Sequence, residues 1–195
     1  SGTGYISKQE ILTVDDATTL TMSAHSDSTP SGMLNFFGAQ GQKSVAIGYQ
    51  TGKTNQGANS VAIGNQAGEV NQSTSAVAIG EGAGKTTQSD KAVAIGYRAG
   101  QTTQSDDSIA IGWDSGLTNQ GERAIAMGRL SGETNQGAYA VAIGNQAGED
   151  NQGEDCVAIG KHAGETTQGE DAVAIGNSAG ETRGRDREWE REGER

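Results

Sequence analysis

The chain has very little of what builds a disulfide framework or a metal cluster. Its 195 residues include one cysteine, Cys156, and two histidines, His25 and His162. A single cysteine cannot form an internal disulfide, and no metal-ligand pattern surrounds it. In the 16-residue repeat described below, the equivalent residues one and two repeats before Cys156 are Ala140 and Ala124. We therefore interpret Cys156 as a small apolar filler, and expect no bound metal and no cofactor.

Aromatic and apolar side chains are also scarce. Aromatic residues make up 4% of the chain, hydrophobic residues 32%, and there is a single proline. This composition excludes one large apolar core of the kind that a compact globule has. The apolar residues nevertheless recur with a regularity that a disordered chain does not need. Order must therefore come from repetition.

Basic residues are outnumbered, which limits the classes of partner. The chain has 14 Lys and Arg against 25 Asp and Glu, a net charge of -11. A nucleic-acid-binding protein needs a basic stripe to neutralise phosphates, and an anionic membrane surface attracts basic segments. No apolar run approaches the ~20 residues of a membrane span. We expect no nucleic-acid partner and no direct membrane insertion.

Groups that converge for catalysis are missing too, although one stretch imitates a phosphate loop. Residues 79–86 read IGEGAGKT, but only three residues separate Gly80 from Gly84, whereas a phosphate loop has four residues between its glycines. His162 stands in a column of unlike residues, such as Gln50 and Leu130, which we interpret as exposed and tolerant. A general base needs an oriented partner. The sequence therefore predicts that the protein is not an enzyme.

Glycine, in contrast, is abundant, because the chain repeats a 16-residue unit without insertion or deletion. The unit begins with a Val-Ala-Ile triplet, and a glycine follows at once. A second glycine comes four residues later. The first glycines of the array are Gly48, Gly52, Gly64, Gly68, Gly80 and Gly84. β-branched residues two apart favour a short strand, and the glycines supply the freedom for tight turns.

Two short strands and two turns per unit describe one rung of a β-solenoid. We predict an all-β fold in residues 44–180: a parallel β-roll of nine 16-residue rungs, each paired with the next at about 4.8 Å. Columns of Gln, Asn and Thr are then expected to form hydrogen-bonded ladders along the stack.

The Val-Ala-Ile triplet predicts that the chain is an oligomer. Val and Ile project to one face of the strand and Ala to the other, so neither face is polar, and a strand of this type is buried on both faces. One rung has a single interior, so the other face needs a second chain. A homotrimer closes such an interface naturally. The sequence leaves open which face points to the partner. The residues predicted to pack in the trimer interface or the core are Val45, Ile47, Val61, Ile63, Val77, Ile79, Val93, Ile95, Ile109, Ile111, Ile125, Met127, Val141, Ile143, Val157, Ile159, Val173 and Ile175.

The two ends do not follow the period. Residues 1–43 contain strand-like runs around turn signals, and we predict a β-rich N-terminal cap over the first rung. Residues 181–195 alternate Arg with acidic residues. This pattern is typical of a charged linker or a helical tail.

The side chains that vary between rungs are those that a partner can distinguish. Tyr49, Tyr97, Trp113 and Arg129 share one column beside the first turn. Aromatic and Arg side chains are the usual anchors of interfaces, so these four are candidate receptor contacts. The alternative, which we favour for any single one of them, is that they are tolerated surface residues.

The run SVAIG at 44–48, with AVAIG at 92–96 and 140–144, resembles the head repeats of trimeric autotransporter adhesins of the YadA type. Similar repeats also look like segments of viral and phage fibres. The resemblance implies a left-handed parallel β-roll that assembles as a homotrimer on a bacterial or virion surface. It also implies a structural and adhesive fibre or stalk segment, which attaches to a host-surface protein, a glycan or matrix.

A second function remains open from the residues alone. Thr86, Thr102, Thr118 and Thr134 form a column that could serve as an ice- or crystal-binding face, although Val70 and Asp150 interrupt it.

Overall fold

A computed structural model describes residues 43–180, and this part of the chain is a parallel β-solenoid. It confirms the predicted all-β fold. Sixteen strands of three residues form two sheets. The nine-stranded sheet contains β1 (Val45–Ile47), β2 (Val61–Ile63), β4 (Val77–Ile79), β6 (Val93–Ile95), β8 (Ile109–Ile111), β10 (Ile125–Met127), β12 (Val141–Ile143), β14 (Val157–Ile159) and β16 (Val173–Ile175). The seven-stranded sheet contains β3 (Val70–Gln72), β5 (Thr86–Gln88), β7 (Thr102–Gln104), β9 (Thr118–Gln120), β11 (Thr134–Gln136), β13 (Asp150–Gln152) and β15 (Thr166–Gln168).

The 16-residue period is the pairing register of the nine-stranded sheet. Val45 lies opposite Val61, and each strand pairs in parallel with its equivalent one rung on. Nine strands about 4.8 Å apart give a rod section of roughly 40 Å. An insertion within a strand would turn its side chains to the wrong face, which explains why the array has none.

The alanine of each Val-Ala-Ile triplet points into the rung, and the two larger residues point out. Ala62, Ala78 and Ala94 are fully buried, whereas their neighbours Val77 and Ile79 are only half-buried. The sequence left this choice open. The interior of a 16-residue rung is narrow, and further columns of Ala and Ser fill it, so there is room for a methyl group but not for a valine or isoleucine side chain.

A column of buried glutamines crosses this narrow interior and joins the two sheets. The side-chain amide of Gln88, at the end of β5, donates 2.8 Å to the Val77 carbonyl of β4 and 3.1 Å to Gln104 Oε1 of the next rung. Equivalent bonds recur along the rod, except between Gln104 and Gln120, whose Oε1 has no partner. The predicted Gln ladder is confirmed. Each bond to the opposite sheet gives the buried glutamine amide an acceptor and links the two sheets across the rung.

A second ladder runs on the outside of the seven-stranded sheet. Asn119 Nδ2 donates to Asn135 Oδ1 at 3.0 Å, and Asn135 donates to Asn151 at 3.1 Å. These residues have φ near +55°, a conformation that asparagine tolerates better than most residues. The equivalent residues Thr87 and Thr103 adopt it as well.

The two glycine columns make the first turn possible. Gly64 has φ +132°, and a Cβ there would lie 2.6 Å from the Gly80 carbonyl oxygen of the next rung. Gly68 has φ +52°, and a Cβ there would lie 2.9 Å from the buried Gln72 amide. The glycines therefore serve both backbone conformation and close approach.

One predicted strand differs from the expectation, and the predictions for the two ends fall outside the described residues. In the first unit, the second extended piece is reduced to a single bridge between Thr54 and Val70. The predicted N-terminal cap, apart from Lys43, and the tail 181–195 lie outside the described residues.

Candidate functional site

The outer face of the nine-stranded sheet carries a continuous apolar stripe. We define the apolar stripe as the first and third residues of its nine strands, from Val45 and Ile47 to Val173 and Ile175. All of them are half-buried or exposed in the single chain, and Ile95 in mid-rod is 36% exposed. In-register pairing places each of these side chains beside its equivalent on the next strand. Large apolar patches on a soluble chain mark interaction surfaces.

Three of the four predicted receptor contacts lie together, beside the turn that follows the nine-stranded sheet. The rings of Tyr97 and Trp113 meet edge to face, with centroids 6.4 Å apart. The Arg129 guanidinium carbon lies 4.6 Å from the Trp113 ring centroid. We call these three residues the aromatic–arginine cluster. Tyr49 is 63% exposed but lies three rungs before Tyr97, outside the cluster.

A partly exposed ion pair adjoins the cluster, and it was not predicted from the sequence. Arg98 Nε donates to Asp114 Oδ1 at 2.8 Å and Nη2 bonds the second carboxylate oxygen. The hydrogen bond to Asp114 raises the pKa of Arg98 above its ordinary value. The Arg98 guanidinium also lies 5.1 Å from the Tyr97 ring centroid. The sequence contained a signal for this ion pair. Arg98 and Asp114 have opposite charges and are 16 residues apart, so they occupy equivalent places on successive rungs.

Asp114 and His162 correct the interpretation of their column as exposed. Asp114 is 4% exposed, and the His162 side chain is 24% exposed. Members of the column on successive rungs contact each other, as Arg98 does Asp114, which keeps these side chains partly out of water. His162 Nδ1 lies 3.1 Å from Glu165 Oε2, within the same turn.

Other features considered in the sequence are Cys156, metal ligands, a membrane span and His25. Cys156 is buried, with Sγ 2.6 Å from the Gly169 carbonyl oxygen, as expected of a filler. No three His, Cys, Asp or Glu side chains between residues 43 and 180 converge as metal ligands do. In the same range no helix has the length and apolar character to cross a membrane. His25 lies outside the described residues.

A column of carboxylates begins on the rung of Arg129 and extends toward the C-terminal end of the rod. Glu133, Glu149 and Glu165 occupy equivalent places on successive rungs. Partial burial raises the pKa of Glu133, and the charge of Glu149 and a hydrogen bond with it raise the pKa further. Asp114 and Asp150 add smaller contributions in the same direction.

The threonine column lies on the opposite side of the rod from the apolar stripe. Thr86, Thr102, Thr118 and Thr134 begin successive strands of the seven-stranded sheet in register. Val70 and Asp150 occupy the equivalent places at either end.

Comparison with known proteins connects the chain to one repeat family. A family model described as the YadA head domain repeat matches residues 56–67, in two copies. No curated protein and no solved structure gives a significant match. The family match confirms the resemblance of the repeats to YadA heads, which belong to adhesin-type structural proteins. Match and solenoid fold together support an adhesin-like segment.

Proposed function

We propose that the chain forms a homotrimeric rod, and that this rod is a structural and adhesive segment of a surface fibre. The apolar stripe carries the proposal. It runs the whole length of the nine-stranded sheet and stays half-buried or exposed in one chain. Three such faces around a common axis would remove every stripe from water.

The rest of the rod's surface suits a segment that is held away from a cell or virion. The seven-stranded sheet and both turns carry mainly polar and charged side chains, and the net charge of -11 keeps separate rods apart in solution. The rigid in-register stack would hold the aromatic–arginine cluster at a fixed position along the fibre. An extracellular location on a bacterial or virion surface follows from this role and from the similarity to YadA heads.

The molar mass in solution tests the assembly. We expect light scattering to give about three times the 19.9 kDa of one chain at micromolar concentration. The double variant Ile95→Lys/Ile111→Lys places two charges in the middle of the stripe, so it should lower the molar mass or cause aggregation. Thr102→Lys/Thr118→Lys is the matched control on the opposite sheet and should remain trimeric. A stable wild-type monomer would refute the proposal.

The alternative of an ice- or crystal-binding face rests on the four threonines in register on the seven-stranded sheet. Thermal hysteresis at an ice surface, lost in Thr102→Lys/Thr118→Lys, would support it. A wild-type rod without thermal hysteresis would exclude ice as its ligand.

A further inference from the structure

We propose that the aromatic–arginine cluster is a binding site for an acidic sugar, that is, a single pyranose ring that carries a carboxylate. The inference rests on the adhesive role proposed above and names the ligand class for it. It starts from one unusual side chain. The structure describes three arginines, Arg98, Arg123 and Arg129, and Arg129 alone has no carboxylate partner and no side-chain hydrogen bond between residues 43 and 180.

The chemistry of Arg129 suits a carboxylate. Its guanidinium carries five N–H donors in a planar fork that matches the two oxygens of a carboxylate. The contact with the Trp113 ring holds the guanidinium by a cation–π interaction without using its donors. The Arg129 guanidinium is thus held in place with its donors free to bind one anionic group.

The two rings beside Arg129 suit the body of a sugar. Tyr97 is 45% exposed and Trp113 is 48% exposed, so each presents an apolar surface with a polar N–H or O–H at its edge. A pyranose ring has the complementary construction, with C–H groups on its faces and hydroxyl groups around its rim. Arg98 pairs with the buried Asp114 carboxylate and lies over the Tyr97 ring, so these contacts restrain the position of Tyr97.

The size of the cluster limits the ligand to one or two rings. The cluster covers three rungs, roughly 10 Å of rod. Glu81 and Asn145 bound it in the same column. Two half-exposed aromatic side chains can bury on the order of 200 Å², whereas a stable protein interface takes about 800 Å² from each partner. The strands beneath the cluster are paired on both sides, so no free sheet edge is available there to a peptide.

Charge around the cluster argues against a large polyanion. The column of Glu133, Glu149 and Glu165 begins on the rung of Arg129, and the whole chain carries a charge of -11. An extended acidic chain would meet these carboxylates, whereas one carboxylate on a small ring need meet only Arg129. In a trimer, three weak sites would add by multivalency on a glycan-rich surface.

Saturation-transfer NMR and calorimetry on the full chain test the site, with 3′-sialyllactose and a glucuronate-terminated disaccharide as acidic probes and lactose as the neutral one. We expect at least one acidic probe to bind at millimolar concentration, and lactose to bind at least tenfold more weakly. Arg129→Gln and Trp113→Ala should each weaken binding at least tenfold. Arg129→Lys keeps the charge but not the fork, so its loss should be intermediate.

Tyr49→Ala is the matched control, because Tyr49 occupies the same column without an arginine over its ring, and it should bind like the wild type. The proposal is overturned if neither acidic probe binds, if lactose binds as well as they do, if the cluster variants bind normally, or if a glutamate-rich peptide binds the cluster more tightly than either sugar. Molar mass, measured on the same samples, reports assembly separately, so loss of the sugar site and loss of the trimer are distinguishable.

Discussion

At the scale of single residues, the rod depends on side chains that are unusual for a protein interior. Gln88 and its equivalents are buried, yet each is bonded to the opposite sheet and, except for Gln104 and the last member Gln168, to the next rung. A buried amide in such a place is costly only if its partners are removed. The glutamine column was visible in the sequence, and its ladder was predicted. Its second role, as the link between the sheets, required knowledge of how narrow the rung is.

Gln88→Leu tests the glutamine column. Leucine has a similar volume but no amide, so Gln72 loses an acceptor, and the Val77 carbonyl and Gln104 Oε1 lose a donor. Unsatisfied buried groups cost about 1–3 kcal/mol each. We expect the thermal midpoint to fall by more than 5 °C. Gln101→Leu, at a half-buried position outside the ladder, is the control. Equal midpoints for the two variants would contradict the assigned role.

Thr103→Asn tests the left-handed column. Thr103 has φ +56°, which costs a β-branched residue about 1–2 kcal/mol. Asparagine tolerates this conformation, and an amide at position 103 would extend the ladder toward Asn119. We expect calorimetry to show a higher midpoint, by roughly 2–4 °C. Thr102→Asn changes the adjacent threonine, which has no positive φ, and should not raise it. A rise in both variants, or in neither, would argue against backbone strain at Thr103.

At the scale of elements, each strand is only three residues long, and its stability comes from stacking on the next rung. Stacking also places like charges in columns, as for Glu133 and Glu149. An acid whose pKa is raised by folding destabilises the fold when it is ionised. Ionised Glu133 therefore lowers the stability of the folded rod.

Glu133→Gln makes this cost measurable through pH. The folded protein binds the Glu133 proton more tightly than the unfolded chain does, in which the pKa of this carboxyl is near 4.5. The destabilisation is therefore absent below that pH and fully present above the raised pKa. We expect Glu133→Gln to raise the thermal midpoint at neutral pH and to match the wild type below the unfolded pKa. Glu154→Gln, at an exposed turn, should not show this pH-dependent gain. A Glu133→Gln gain that persists at low pH would contradict the assigned cause.

Much of the element scale could be predicted, because the period of the sequence is the register of the sheet. The position of the strands, their parallel pairing and the glycine turns all follow from the 16-residue columns. Which face of the Val-Ala-Ile strands points into the rung could not be predicted, since both faces are apolar. The burial of Asp114 was missed as well, because its column contains Gln, Gly, Arg, Leu and His and so looks tolerant.

At the scale of the whole molecule, residues 43–180 form a rod with a small-residue interior and its larger aliphatic side chains outside. Ala and Gln fill the inside, while Val and Ile form a stripe along one sheet. This inversion has a simple physical reason, because a 16-residue rung cannot enclose two large side chains per strand. The surplus apolar surface then favours association between rods. The trimer remains a prediction, and the aromatic–arginine cluster depends on it only for multivalency.

Distances between chains show whether the three apolar stripes face a common axis. In a Cys156→Ala background, spin labels can be attached at Val93→Cys, on the apolar stripe, or at Thr102→Cys, on the seven-stranded sheet. If three stripes face one axis, pulsed electron resonance will give a short distance between Val93→Cys labels of different chains. The Thr102→Cys labels will then be farther apart by more than about 10 Å, the thickness of two packed sheets. Equal distances for the two sites, or shorter ones at Thr102→Cys, would contradict the account.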